Sequence, residues 1–442
     1  MEGVVVKKVL LLLPAALLGT SVLAGCGAQN EGAANGTGTE PAKTEKPAEP
    51  LKPVTLKVLQ TQGYWTEADF NTLITENVKK KYPHITIEFE PKTKVEEALI
   101  AGVDVDMVAV WNGLMPQYDD LGLFEDISPL AKKFNMDLGR FDPGALDTIK
   151  KATKSGGLYG LPNLIQFNAM YYNKDIFDKF AIPYPKDGMT WEETIELAKK
   201  VTRNENGVQY IGLDPDYLTR LLVPLSLGIV EGVNDKTDVN TEPYKRVFEL
   251  AKSMYFPGNT PKEGIMKGSV TDRFIKDKNV AMLTTINLLD KMKEDPSLNW
   301  DIAQFPQYKE RPNMFGAYDL HIMTVSKTSK HKDDAMRVME VLFSDEVQLQ
   351  ASKMGKYTAM KDPKFNAAFV QGVPEYKDKK IQSIFKSKPA PATPPYSTVY
   401  SKARGLLVDK FRLVAEGKKD TNTALREAED EINQIVRTEK QK

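Results

Sequence analysis

Few side chains in this sequence are of the kind that make or break bonds. Cys26 is its single cysteine, so no intramolecular disulfide can form and any thiol chemistry would rest on one residue. The histidines are His84, His321 and His331. They lie far apart, none stands in His-Glu-x-x-His, and each reads as an ordinary loop or strand residue. Asp104-x-Asp106 and Asp214-x-Asp216 pair carboxylates at a metal-like spacing, but without an EF-hand run they read as loop aspartates beside turns. There is no Gly-x-Ser-x-Gly elbow and no phosphate-cradling Gly-x-x-x-x-Gly-Lys. The glycines of GGLYG, 156–160, lead into a strand rather than a helix, which is a poor dinucleotide loop. No cofactor and no metal is expected. Acid pairs for glycoside hydrolysis need not be close in sequence, so a glycosidase stays open.

Cys26 has a different context from a nucleophile. Lys7 and Lys8 precede an apolar run over 9–18, too short to span a bilayer and typical of a secretory signal. Its exit, Leu23-Ala24-Gly25-Cys26, resembles the bacterial lipoprotein signal. That resemblance implies removal of 1–25 and a diacylglyceryl group on Cys26, whose two acyl chains would anchor the protein to a membrane. Residues 27–53 are small, polar or Pro, with Leu51 the only large apolar side chain. Such a stretch cannot bury enough surface to offset its ordering entropy, so 26–53 is expected to be a lipidated, disordered tether. The 60 basic and 60 acidic residues cancel, and no basic stripe favours nucleic acid.

The elements that would position a site alternate without a break. VTLKVLQ, 54–60, and ITIEFE, 85–90, have the period of half-buried strands. Thr66-x-x-Asp69 and Thr190-x-x-Glu193 are capping-box patterns that open helices. DMVAVW, 106–111, is apolar enough to be covered on both faces. Strand–helix alternation predicts an α/β fold with a mostly parallel sheet. Further strands are expected around Pro162, in GVQYIGL, NVAMLTTIN, WDIAQFP and LHIMTVS, with a helix broken near Pro224. A C-terminal helix shows Leu425, Ala428, Ile432 and Ile435 on one face. No linker divides the body, so two lobes would require the chain to cross between them.

Three stretches resemble the maltose-binding-like, family 1 extracellular solute-binding proteins of bacterial ABC importers. They are DVDMVAVWNGLMPQYDDLGLFEDISPL, then LYGLPNLIQFNAMYYNKDIFDKFAIPYPKDGMTWEETIELAKKV, then RFIKDKNVAMLTTIN. The second, with its Tyr-Gly-x-Pro, Tyr-Asn-Lys-Asp and Thr-Trp-Glu-Glu pattern, is the specific one. Asp277-Lys278 departs from the glycine often found there. The resemblance covers about 54–437 and implies a periplasmic-binding-protein-like (type II) fold, two lobes with mixed sheets joined by three hinge crossings. The expected lobes are 54–166 plus 309–349 and 167–308 plus 350–442. The implied activity is binding without chemistry, as a monomer on the extracytoplasmic face of the cell membrane. The implied partners are a carbohydrate ligand and an ABC permease.

Sugar recognition uses aromatic faces and fixed polar groups. On the resemblance, the cleft candidates are Tyr64, Trp65, Trp111, Asn112, Gln166, Asp216, Tyr217, Asn287, Tyr318 and Asp319. All follow or enter expected strands. Trp191 and Trp300 read as packing residues. The tryptophan position of maltose binders falls on Val110, one before Trp111. The alternatives are a secreted polysaccharide lyase or glycosidase, and the same fold carrying a peptide or polyol phosphate. Arg or Lys in the cleft would favour an anion, and the candidates include neither.

Overall fold

The computed structural model describes residues 51–441 apart from 233 and 392–396. Cys26, the signal and most of the tether lie outside the described residues. The strands are β1 (Val54–Gln60), β2 (Ile85–Glu90), β3 (Met107–Trp111), β4 (Gly160–Ile165), β5 (Asn168–Asn173) and β6 (Arg203–Glu205). They continue with β7 (Val208–Pro215), β8 (Val280–Ile286), β9 (Trp300–Ala303), β10 (Met314–Ala317), β11 (Leu320–Val325) and β12 (Lys388–Ala390).

Two five-stranded sheets result, ordered β2-β1-β3-β11-β4 and β6-β7-β8-β5-β9, with β10-β12 a separate pair. The first three strands are parallel, as their strand–helix alternation requires. The sheets are nevertheless mixed rather than mostly parallel. β11 enters from the other lobe and runs antiparallel between β3 and β4, and β5 runs antiparallel to β8 and β9. β3 and β11 are buried almost throughout, because helices cover both faces of the sheet centre. Pro162 lies inside β4, the sheet's edge strand, where a missing amide costs no central ladder bond. The register against β11 shifts beside it.

Each lobe has its own core. One core runs from Leu56 to Ile165 and from Tyr318 to Phe365. The other runs from Phe167 to Phe315 and from Phe369 to Val436. The first change of core falls at Gln166. The second and third come later than the expected 308/309 and 349/350. β10 still belongs with the second lobe, with Phe315 fully buried there. Val347, Ala351 and Phe365, on the helices Asp345–Lys353 and Pro363–Ala368, still pack into the first.

Local signals act as their chemistry dictates. Thr190 accepts from Glu193 N at 3.2 Å and Glu193 from Thr190 N at 2.9 Å, closing a capping box on the helix Trp191–Val201, worth about 1 kcal/mol. Pro224 stands in a 3-10 turn, Val223–Leu225, that ends the helix Thr219–Leu222. On the helix Thr421–Lys440, Val436 is buried and Ile435 only half-buried. Trp191 and Trp300 are core residues, 0% and 4% exposed.

Candidate functional site

The crossing segments meet in a tight set of backbone bonds. Gln166 N donates to Asp319 O at 2.8 Å, and Ile165 N to Tyr357 O at 2.8 Å. Gly316 N donates to Asn168 Oδ1 at 3.2 Å. Thus 165–168, 316–320 and 357–358 run side by side where the lobes join. The carboxyl ends of β3 and β7 open here, the place where α/β sheets present ligand-binding loops.

A cavity of about 180 Å³ occupies the junction. Trp111, Tyr318 and Asp319 line it from the first lobe. Tyr217, Arg220, Tyr400 and Arg404 line it from the second, with Asn168 and Gly316 at the crossings. The indole of Trp111 folds back over Gly113, where a Cβ would collide with its six-membered ring. Gly144 likewise leaves room for the Tyr318 ring, whose hydroxyl donates to Asp142 at 2.7 Å. Two glycines therefore set the positions of two aromatic walls.

The polar floor is a charge relay across the junction. Arg220 Nε donates to both oxygens of Asp216, at 3.1 and 3.3 Å, and Thr285 donates to Asp216 at 2.7 Å. Asp319 is half-buried, and the loss of solvation pushes its carboxyl up from the usual range. The Arg220 charge and a hydrogen bond from Trp111 oppose that rise. Arg404 lies with its guanidinium carbon 5.3 Å from the centre of the Tyr217 ring and 6.0 Å from that of Tyr400. Asp214, at the end of β7, forms a buried ion pair with Arg273, whose Nη2 and Nε both donate to its Oδ2, at 2.6 and 3.0 Å. Burial raises its carboxyl to about 6 against the pull of Arg273. Asp214-x-Asp216 is therefore a strand end holding two ion pairs, not a pair of loop aspartates. Among the described residues no three His, Cys, Asp or Glu side chains gather as a metal site.

The structure brings Trp111, Tyr217, Tyr318 and Asp319 together on the cavity, with Asp216 just behind. The other sequence-derived candidates sit elsewhere. Trp65 is 2% exposed and packs edge-on against Phe70 at 6.1 Å, inside the first core. Asn112 is fully buried and ties the backbone, donating to Tyr318 O at 3.0 Å and accepting from Leu320 N at 2.9 Å. Gln166 Nε2 stands 3.3 Å from His321 Nε2, and the Tyr64 ring covers His321 with centroids 3.1 Å apart. Asn287 accepts from Leu289 N at 3.0 Å at the start of a short helix. Strand-end position selected these residues, but Trp65 and Asn112 turn into the first lobe, and Tyr64, Gln166 and Asn287 are half-buried away from the cavity lining.

The lining residues that were not among the candidates include Asn168, Arg220, Tyr400 and Arg404. Asp216-x-x-x-Arg220 is an i,i+4 pair that the sequence does display. Tyr400 and Arg404 share one face of the helix Tyr400–Ala415, but no local pattern points them at a cleft formed far upstream.

Two α/β lobes crossed three times by the chain, with an aromatic and polar cavity at the crossing, define a binding protein of the type II periplasmic class. The family model for bacterial extracellular solute-binding proteins matches residues 62–349, and the chain belongs to that family. A Brucella abortus chain named as a binding protein is 28% identical over 295 residues, 61% of this chain and 68% of that one. The ABC substrate-binding protein of Listeria monocytogenes in complex with cycloalternan superposes with a TM-score of 0.71. It has 18% identity and covers 87% of this chain and 99% of that one. The Xanthomonas citri sugar-binding protein MalE gives a TM-score of 0.68 at 18% identity, over 88% and 98%. Likeness at these identities shows the fold.

Proposed function

We propose that this chain captures a carbohydrate, and specifically an oligosaccharide, between its lobes and delivers it to an ABC permease. It acts as a monomer held by lipid on Cys26 at the extracytoplasmic face of the membrane. The observation that carries the reading is the cavity itself. Trp111, Tyr217 and Tyr318 supply aromatic surface for the C–H faces of sugar rings. Asn168, 3% exposed, has an amide nitrogen with no partner among the described residues. A second hollow of about 280 Å³, lined in part by Asp216, shares Tyr217 with the first, which suits a ligand of more than one ring. The Listeria and Xanthomonas proteins with this fold are a cycloalternan complex and a sugar-binding protein.

Binding without turnover fits the carboxylates at the cavity. Asp216 is held by Arg220 and Thr285. Asp319 is held by Trp111 and faces Arg220. Neither is set against a second free acid as glycoside hydrolysis requires. A thermal-shift screen over oligosaccharides tests the reading, since ligand at 100 times its Kd adds about 2.7 kcal/mol. Stabilisation by glycans without product formation is the expected result. Hydrolysis or elimination on the same panel would favour the enzyme alternative. The anchor has its own test: wild type labels with fatty acid and Cys26→Ala does not.

A further inference from the structure

Two hydrogen-bond donors at the cavity, on Asn168 and Arg404, lack partners among the described residues, whereas the carboxylates have theirs. Asp216 is paired with Arg220 and receives Thr285, and Asp142 behind it accepts from Tyr318 and Gly144 N. Against these, the guanidinium of Arg404 has no carboxylate or carbonyl partner among the described residues. Among the described residues it lies over the rings of Tyr217 and Tyr400. Aromatic rings attract a guanidinium without using its N–H groups, which stay available to a ligand. Asn168 Nδ2 is likewise buried without a partner among the described residues. A ligand that satisfies this site must bring acceptors, and one of them must face a fixed fork of N–H groups.

We infer that the cargo is an acidic saccharide and that Arg404 grips its uronate carboxylate, with Asn168 receiving a neighbouring oxygen. The inference rests on the carbohydrate reading above and narrows it. A carboxylate is acceptor-only and matches the guanidinium fork with two parallel bonds. A phosphate dianion fits less well. Among the described residues Arg404 is the lining cation without an ion-pair partner, and Asp319 shares the lining, with Asp216 just behind Arg220, so a second negative charge would face acids rather than bases.

The test is calorimetric titration of the purified protein with glucuronate- and galacturonate-ended trisaccharides, each beside its carboxyl-reduced counterpart and a 6-phosphorylated analogue. The acids should bind more tightly than the reduced sugars. Arg404→Gln should lower acid affinity about 10- to 150-fold, the loss expected for hydrogen bonds to a charged group, and collapse the acid-over-neutral ratio toward one. Arg404→Lys, which keeps the charge but not the fork, should retain part of that ratio. Unchanged denaturation midpoints would show that both variants fold. Reduced sugars binding as tightly as the acids would overturn the acid inference and leave the carbohydrate reading standing. The phosphorylated analogue binding most tightly would overturn the carboxylate, and equal losses for acid and reduced sugar in Arg404→Gln would overturn the role of Arg404. No binding by any saccharide would remove both readings.

Discussion

Lys356 joins the two lobes by charge, and replacing it with Met should open them. The residue is 7% exposed and follows the helix Asp345–Lys353. Its ammonium lies 2.8 Å from Asp69 and 3.1 Å from Asp290. Asp69 belongs to the helix Glu67–Phe70, rooted in the first core by Phe70. Asp290 belongs to the helix Leu289–Met292, rooted in the second by Leu289. Breaking a fully buried pair costs about 3–5 kcal/mol, but the acid side chains here are 21% and 64% exposed. Water re-solvates them, so the expected loss is about 1–2 kcal/mol. That is enough to shift the closed-to-open ratio roughly 5- to 30-fold. The assay is solution scattering of the ligand-free protein, paired with urea denaturation. Lys356→Met should enlarge the radius of gyration and lower the midpoint. Lys356→Arg should restore both in part. The pH window follows from the charges. Burial alone would lower the Lys356 pKa, but Asp290 and Asp69 outweigh it and hold it above 10.5. Its contribution is therefore complete below 10.5 and is lost as pH rises through the raised value. Burial alone would raise the Asp290 pKa, but Lys356 and Lys293 hold it below 3.8. Its contribution is complete above 3.8 and is lost as pH falls through the lowered value. An unchanged radius and midpoint in Lys356→Met would refute the idea that this triad fastens the lobes.

Further outcomes are specific to single side chains. Gly113→Ala should displace the Trp111 ring that occupies the space of its Cβ, weakening binding with little change in the unfolding midpoint; calorimetry on the folded variant checks it. Trp111→Ala should cost affinity on the order of 1–3 kcal/mol by loss of a stacking face, whereas Trp65→Ala should cost about 3–5 kcal/mol of folding stability by emptying a core site. Paired titration and denaturation distinguish the two. His321 is 1% exposed, and burial, aided by the Lys356 charge, pushes its pKa well below 6.5. Its neutral form contributes stability above pH 6.5 that is lost as pH falls, by about 1.4 kcal/mol per unit at most. His321→Gln should flatten the slope of unfolding free energy against pH below that point.

The sequence by itself determined the main strands and helices. Alternation in 54–60 and 85–90, the capping box at Thr190 and the apolar run ending at Trp111 depend on neighbours a few residues away, so their physics is written locally. It also carried the residues at strand ends, which is why Trp111, Tyr217, Tyr318 and Asp319 could be named. Only the tertiary structure decided which of those side chains face the junction. Trp65 and Asn112 occupy the same kind of strand-end position as Trp111 and Tyr217. Trp65 nevertheless turns onto Phe70, and Asn112 ties the backbone at Tyr318 and Leu320. The lobe boundaries were hidden for the same reason, since Phe315 and Phe365 are equally apolar and differ only in which core receives them. Arg404 was the least legible of all. A helix arginine is ordinarily a solvated surface charge, and only the return of a distant helix to the crossing sets it between Tyr217 and Tyr400.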